Sequence, residues 1–407
     1  MTRRPIMAMV AIAAVSSIAL TACGSSSGSD GDNSDGGSKG PIRIMTMYTD
    51  TPALSNKEIA SNVKAAAKQV NDAGGINGRK LEVLTCNNQL DPNVHLTCIR
   101  TAIDKKVSAV VGSVSFFPTV YPALEKAGIS FLGGFGIQKE ELNSPISFPV
   151  SAGEPGWYYA QAKQLADLGM KNPAWIQCEP AACKFGEEIF RAAWKKYTGG
   201  KLGKVITIPD KATDLSTYAA DLLSSGVDSI ATGMYVSENQ QLTKELRTGG
   251  FKGPIAVNGP NMTTEALKEL GSNLGDFYVS GGMLPPSAQN IAAVPAMAEW
   301  HKAIEAFAPG LPASELALNG WASTKVFIDV AKKVKDVNST TMLKALNGTK
   351  PDNPVITGIA PPFSAVQGTP PLPEFKRLGT LMVSIAKADA SGALVQDKPG
   401  SFLDLSK

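Results

Sequence analysis

The sequence predicts an α/β protein of two lobes, each built on a parallel sheet, and three observations lead there. Residues 107–136 read as a βαβ unit. Two short apolar runs, 107–112 and 129–132, flank a segment with Val120, Leu124 and Ala127 at helical spacing, closed by Gly128. Strand and helix signals alternate through residues 42–136 and begin to alternate again at Ala174. The chain has 407 residues, 43% of them apolar and 18% charged, which suits a soluble globular protein with two substantial domains. Parallel sheets take ligands at the carboxyl ends of their strands, so residues 113–116 and 133–137 are the first place to look for one.

Residues 1–22 begin with Arg3 and Arg4, continue with a mostly apolar stretch too short to span a bilayer, and lead into Leu20, Thr21, Ala22 and Cys23. That ending is similar to the lipobox of bacterial lipoproteins, which makes Cys23 the expected lipidation site of an exported protein. A plain secretory signal is the alternative, and it exports the chain equally. The stretch from Cys23 to residue 40 then acts as a tether, with no apolar side chain to bury after the cysteine. It is a flexible coil whose ends lie on the order of 20 Å apart.

The folded part opens with a strand at 42–48, where apolar residues alternate with polar or long ones. A helix at 55–73 follows, with Ile59, Val63, Ala66, Ala67 and Val70 on one face and a stop at Gly74 and Gly75. Asn77 and Gly78 turn into a strand at 80–85, and Asp91 or Asn93 caps a helix running to Lys105. In the second lobe, residues 155–168 are amphipathic. Strands at 174–178, 204–208, 228–234 and 254–257 then alternate with helices at 186–197, 218–224 and 239–247. Helices at 294–307 and 321–334 return to the first lobe, and 378–386 adds a late strand to the second.

Composition and motifs exclude several function classes. The formal charge of +3 falls to +1 without the segment that carries Arg3 and Arg4, so nothing points to nucleic acid. The two histidines, His95 and His301, each fall in a predicted helix and belong to no metal or triad pattern, so surface or packing roles are expected. Gly134-Phe135-Gly136 starts like a dinucleotide fingerprint, but Lys139 stands where the third glycine belongs, and there is no P-loop. No cofactor and no enzymatic activity are expected. Beyond Cys23, the cysteines are Cys86, Cys98, Cys178 and Cys183, an even number in an exported chain. Proximity favours Cys86 with Cys98 and Cys178 with Cys183; a four-thiolate zinc site competes, without the two-residue spacing of zinc ribbons.

Gly74-Gly75-Ile76-Asn77-Gly78-Arg79-Lys80, with a cysteine soon after, and Val110-Val111-Gly112-Ser113 before Gly128-Ile129 resemble the type I periplasmic solute-binding proteins of ABC importers, in the leucine/isoleucine/valine-binding branch. The pattern continues at Phe185-Gly186, Asp214-Leu215-Ser216, Gly249-Gly250-Phe251, Gly259-Pro260 and Gly320-Trp321-Ala322. The resemblance covers everything after the tether. It implies two Rossmann-like lobes joined by three crossovers, with a small solute held between them and an ABC permease as partner. On that frame lobe 1 comprises 41–149 and 284–365, lobe 2 comprises 150–283 and 366–407, and the crossovers fall at 148–151, 281–284 and within the proline-rich 361–373. A monomer on the outer face of the membrane, anchored through Cys23, is expected.

Binding candidates sit after the strands. Ser113 and Ser115 offer hydroxyls beside free amides, with simple helix capping as the competing role for each. Of Phe116 and Phe117, one is expected in the core and the other on the cleft wall. Gly134, Phe135 and Gly136 offer close backbone approach and a ring, with Ile137 beside them. Tyr48, Phe185 and Tyr235 are placed to close on a ligand, packing between sheet and helix being the alternative for Phe185 and Tyr235. Trp157 faces either the cleft or the hinge. In the amino-acid binders of the family, a threonine and an acidic residue hold the ligand ammonium; by position these fall at Ile137 and Asn261. The resemblance, with those departures, implies a carboxylate with an apolar or aromatic body rather than an ordinary α-amino acid, unless Glu238 or Glu179 supplies the charge. Two alternatives stay open: a branched-chain amino-acid binder, and a sensor of the same fold acting on a signalling partner.

Overall fold

The computed structural model describes residues 40–51, 54–179, 181–209 and 212–407. Cys23 and the signal segment and tether expected before Gly40 lie outside the described residues. Lobe 1 is built on five strands: β1 (Ile42–Tyr48), β2 (Leu81–Asn87), β3 (Ala109–Val111), β4 (Ser130–Leu132) and β5 (Ser147–Phe148). They pair in the order β2-β1-β3-β4-β5, all parallel. Helices α1 (Glu58–Asp72), α2 (Pro92–Asp104) and α3 (Val120–Ala127) make the crossovers between them. Both faces of the sheet are covered, so β3 and β4 are buried along their whole length, as a parallel sheet requires. Asp91 is the cap chosen for α2, its carboxylate accepting from the amides of Asn93 at 2.8 Å and Val94 at 3.0 Å. Gly128, at φ 62°, ends α3 where the sequence placed the stop.

After β5 the chain passes into lobe 2 through α4 (Gly153–Asp167), followed by β6 (Pro173–Cys178), α5 (Ala181–Thr198), β7 (Lys204–Ile208), α6 (Ser216–Ser224) and β8 (Ser229–Gly233). Next come α7 (Val236–Thr248), β9 (Ile255–Asn258), α8 (Thr264–Leu270) and β10 (Phe277–Gly281). It returns to lobe 1 for α9 (Ala288–Ala293), α10 (Pro295–Phe307), α11 (Glu315–Ala331) and α12 (Ser339–Asn347), then ends in lobe 2 with β11 (Met382–Ala388), β12 (Leu394–Val395) and β13 (Leu403–Asp404). The second sheet has the order β12-β11-β10-β9-β8-β6-β7, with β11 antiparallel to β10 and β13 paired to β11. No helix among the described residues is long and apolar enough to cross a membrane.

Four expectations need correction. Helix α4, read as amphipathic, is buried on nearly every face from Gly153 to Ala162, because it is wedged between the second sheet and α5. Helix α11 begins at Glu315, well before Trp321. Ser314 caps it by accepting from the Ala317 amide at 3.1 Å, and buried polar residues in its first turns mask the helical period. The last passage between lobes lies beyond 361–373: Arg377 still bonds to lobe 1, donating to Leu142 O at 2.8 Å from its amide and to Ser147 O at 2.7 Å from Nε. Phe116 and Phe117 are both half-buried, so neither is the core residue expected of the pair. The short α9, β5, β12 and β13, and α12, carry too few residues or too weak a period to be read in advance.

Cys86 pairs with Cys98 and Cys178 with Cys183, with Cα–Cα distances of 5.8 Å and 5.6 Å. The first bond ties β2 to α2; the second closes the connection between β6 and α5. Opening the Cys86–Cys98 bond releases a loop of 12 residues in the unfolded chain. Reduction, or C86S/C98S, is therefore expected to lower stability by about 3 kcal/mol. Calorimetric melting with and without reductant checks this, and an unchanged Tm would contradict it.

Candidate functional site

The carboxyl ends of β1, β3 and β4 in lobe 1 lie side by side, and so do those of β6, β8 and β9 in lobe 2. In lobe 1 the three ends are tied together. The Met47 amide donates to Ser113 Oγ at 2.9 Å, and Gln138 Nε2 donates to Phe116 O at 2.8 Å. In lobe 2, Asn239 Nδ2 donates to Met234 O at 3.1 Å and to Asn261 O at 3.2 Å, while the Asn261 amide donates to Asn258 Oδ1 at 3.1 Å. Tyr235 caps α7 directly after Met234, so Tyr235 and Asn261 are held in one cluster. Across the junction the Glu154 amide donates to Phe135 O at 2.8 Å, and Lys139 Nζ pairs with Glu188 at 2.7 Å. The two sets of loops therefore face each other.

The candidate residues divide by exposure. Tyr48, Phe116, Ile137, Tyr235 and Asn261 are half-buried, open to solvent on one side. Ser113, Ser115 and Phe135 are 0%, 1% and 2% exposed, so neither solvent nor a cavity reaches them. Ser113 accepts a backbone amide, and Ser115 bonds its own loop, donating to Phe117 O at 3.0 Å. Phe135 packs on Trp157 at 5.8 Å between ring centroids, so the ring expected to be offered to a ligand is enclosed, and Trp157 lies on the hinge side. Gly134 has the Glu141 carboxylate against it, and the Gly136 amide donates to Glu141 Oε1 at 2.8 Å. Phe185 meets Phe375 edge-on at 5.7 Å and lies 5.4 Å from Lys139 Nζ. These three line, with Tyr159 and Asn143, a groove of about 400 Å³ that takes in none of Tyr48, Phe116, Ile137, Tyr235 and Asn261, so Phe185 faces a different surface from those candidates.

Sequence reasoning missed three carboxyl groups, all buried at the junction. Glu141, in the connection between β4 and β5, accepts from Tyr121 Oη at 2.9 Å, and burial pushes its pKa up to about 7. Glu154, in the first turn of α4, is raised well above the usual carboxylate range by burial, with the nearby Glu141 adding to the shift; its Oε2 has no hydrogen-bond partner among the described residues. Glu315, at the start of α11, accepts from the Gly282 amide at 2.7 Å and from Trp157 Nε1 at 3.0 Å, and burial pushes it up to about 8. No sequence signal marks them, because a glutamate early in a helix, as Glu154 and Glu315 are, or in a loop, as Glu141 is, ordinarily faces water. His95, the other buried titratable group singled out, is fully enclosed against Phe117 and pushed down to about 4 by desolvation, so it stays neutral.

These shifts fix a pH dependence. Glu141 holds its proton in the folded protein up to about pH 7 but loses it near 4.5 when unfolded. The folded state binds more protons across that window, so stability is highest at the acid end and falls as pH rises from about 4.5 to 7. The E141Q variant is expected to remove this contribution, its stability relative to wild type improving by on the order of 3 kcal/mol between pH 4.5 and pH 8. Urea unfolding at the two pH values reads the difference, and parallel curves would refute it.

The chain is similar to known proteins at two levels. A family described as periplasmic binding protein matches residues 44–365. The Leu/Ile/Val-binding protein homolog 3 of Brucella melitensis biotype 1 is 23% identical over 328 residues, covering 76% of this chain and 83% of that protein. Among solved structures, the fatty acid ABC transporter substrate-binding protein from Thermomonospora curvata superposes with a TM-score of 0.77 at 17% identity, covering 90% of this chain and 92% of that one. The branched-chain amino acid transporter substrate binding protein LivJ from Streptococcus pneumoniae, solved with isoleucine, gives 0.68 at 17% identity, covering 87% and 97%. At these identities the likeness to solved structures is one of fold.

Proposed function

We propose, from the premise that the chain belongs to the periplasmic binding protein family, that it captures a small organic carboxylate with an apolar or aromatic body between its lobes and hands it to an ABC permease. A periplasmic binding protein holds its solute without transforming it. Lipidation at Cys23 would keep the protein at the outer face of the membrane.

The observation that carries the reading is the pair Ile137 and Asn261, both half-buried at the facing loops, where the amino-acid binders place a hydroxyl and a carboxylate. Neither can neutralise an ammonium, and a buried ammonium without an anion is costly. Of the neighbouring acids, burial pushes Glu315 up to about 8 and raises Glu154 well above the usual carboxylate range, and Glu238 accepts from the Tyr235 amide at 3.2 Å in the cap of α7; Glu179, exposed just after β6, is the acid whose replacement by glutamine must leave binding unchanged on this reading. An acidic end of the ligand has a partner in the amide of half-buried Phe116, which has no protein acceptor among the described residues. Tyr48, Phe116, Ile137 and Tyr235 supply apolar surface on both lobes.

The relatives leave a second reading, a branched-chain amino acid as solute, since one is named for leucine, isoleucine and valine and another was solved with isoleucine. A thermal-shift screen of aliphatic and aromatic carboxylates, amides and amino acids separates the two. A true ligand at about a hundred times its Kd adds roughly 2.7 kcal/mol. Stabilisation by carboxylates supports the proposal, and stabilisation by leucine, isoleucine or valine alone overturns it. Mass spectrometry of the mature protein tests the anchor: an unmodified chain still containing residues before Cys23 would remove it.

A further inference from the structure

Glu315 is a carboxyl group that reaches from lobe 1 to the binding loop of lobe 2. It stands at the start of α11, whose cap Ser314 donates to Glu58 Oε1 at 3.1 Å, so its backbone is fixed to lobe 1. Its side chain crosses to the second connection between lobes, where the Gly282 amide donates to Oε1, and to α4, where Trp157 Nε1 donates to the same oxygen. The other oxygen fills a notch made by missing side chains. A Cβ on Gly281 would come within 2.6 Å of Oε2, and one on Gly259 would collide with it. Gly259 opens the loop that carries Asn261. The socket is therefore shaped for a carboxyl head and belongs to the same loop that faces the ligand.

We infer that Glu315 is a positioning residue for solute capture: it latches the lobe 2 binding loop to lobe 1 in the closed form, and it does so as a neutral carboxyl group. The inference rests on the reading that the lobes open and close around a solute, but it needs no particular solute. In this arrangement Glu315 is 4% exposed and its pKa is raised by burial to about 8; on the inference, opening the lobes returns the group to water. Closure thus takes up a proton at Glu315. The closed-to-open ratio falls as pH rises from about 4.5 to 8, by up to about tenfold per pH unit, and levels off above. The charged and titratable groups on the surrounding elements are Glu58 on α1, Glu154 on α4 and Glu141 after β4, all buried carboxyls. Their own titration adds to the wild-type slope and is left in place by a change at 315.

Single-molecule energy transfer on the ligand-free protein tests this, with dyes at K64C on α1 and K244C on α7, both exposed positions. Wild type is expected to lose its closed population between pH 5 and pH 8. E315Q, which keeps an acceptor for Gly282 and Trp157 and cannot ionise, is expected to lose about tenfold less per pH unit across that range. E315A, and independently G281S, which places a side chain in the socket, are expected to be open at both pH values. An E315Q titration that overlays wild type would overturn the inference, as would an E315A population as closed as wild type at pH 5. Because no ligand is added, either failure leaves the carboxylate reading standing, and failure of that reading leaves this measurement unaffected.

Discussion

A side chain at position 153 is expected to cost more solute affinity than any other single-atom-scale change in the hinge. Gly153 begins α4 at the first passage between lobes, with φ at 52°, a conformation that strains residues with a Cβ. A Cβ there would also collide with Phe135 O and lie 2.8 Å from Phe135 C, the backbone of the facing lobe 1 loop. The next amide, Glu154 N, donates to that same Phe135 O. Gly153→Ala therefore forces apart the seam that closure brings together. Strain and displacement together are expected to cost on the order of 2–4 kcal/mol, read either as weaker binding of a stabilising carboxylate or as a lower unfolding midpoint in urea. Wild-type affinity together with a wild-type midpoint would contradict the placement of the seam.

Removing the two tyrosine rings is the second large effect. Tyr48 ends β1 in lobe 1 and Tyr235 starts α7 in lobe 2, and both are half-buried, so each keeps one side for a ligand. Covering a ring of that kind contributes on the order of 1.5–3 kcal/mol, so Tyr48→Ala and Tyr235→Ala are each expected to weaken binding about ten- to a hundredfold. Since only a solute in contact with both lobes can bias closure, the double variant should also lose ligand-induced compaction. Titration calorimetry with scattering on the same samples reads both; full compaction in the double variant would place the solute elsewhere.

Much of this was legible in the sequence because local signals and tertiary structure agreed. Apolar runs ending in glycine gave β3 and β4, Asp91 capped α2, and the order of motifs after Gly74 carried the family. The loops after β3 and β4 were legible, but the burial of their side chains was not. Ser113 and Phe135 are enclosed because residues 111–115 and 131–136 are buried without interruption under the packing of the lobes, which no local period announces. The buried glutamates were invisible for the same reason. Glu154 and Glu315 sit in first helical turns, where an acid normally faces water, and they are enclosed only because two lobes meet over them. Read from sequence alone, the missing acid at Asn261 concerned a single position; in the structure burial raises the pKa of Glu315 and Glu154, and Glu238 is engaged in the cap of α7.

The central claim is that the solute is held by its acid end without an ammonium partner. Matched pairs differing only in the α-ammonium group test it most directly: leucine against 4-methylpentanoate, valine against 3-methylbutanoate, phenylalanine against 3-phenylpropanoate, each titrated by calorimetry at pH 7. The expected result is that the deaminated member of at least one pair binds ten times or more tighter than its amino acid. Tighter binding of the amino acid in every pair that binds would contradict the account, since it would require an anion that Ile137 and Asn261 do not supply.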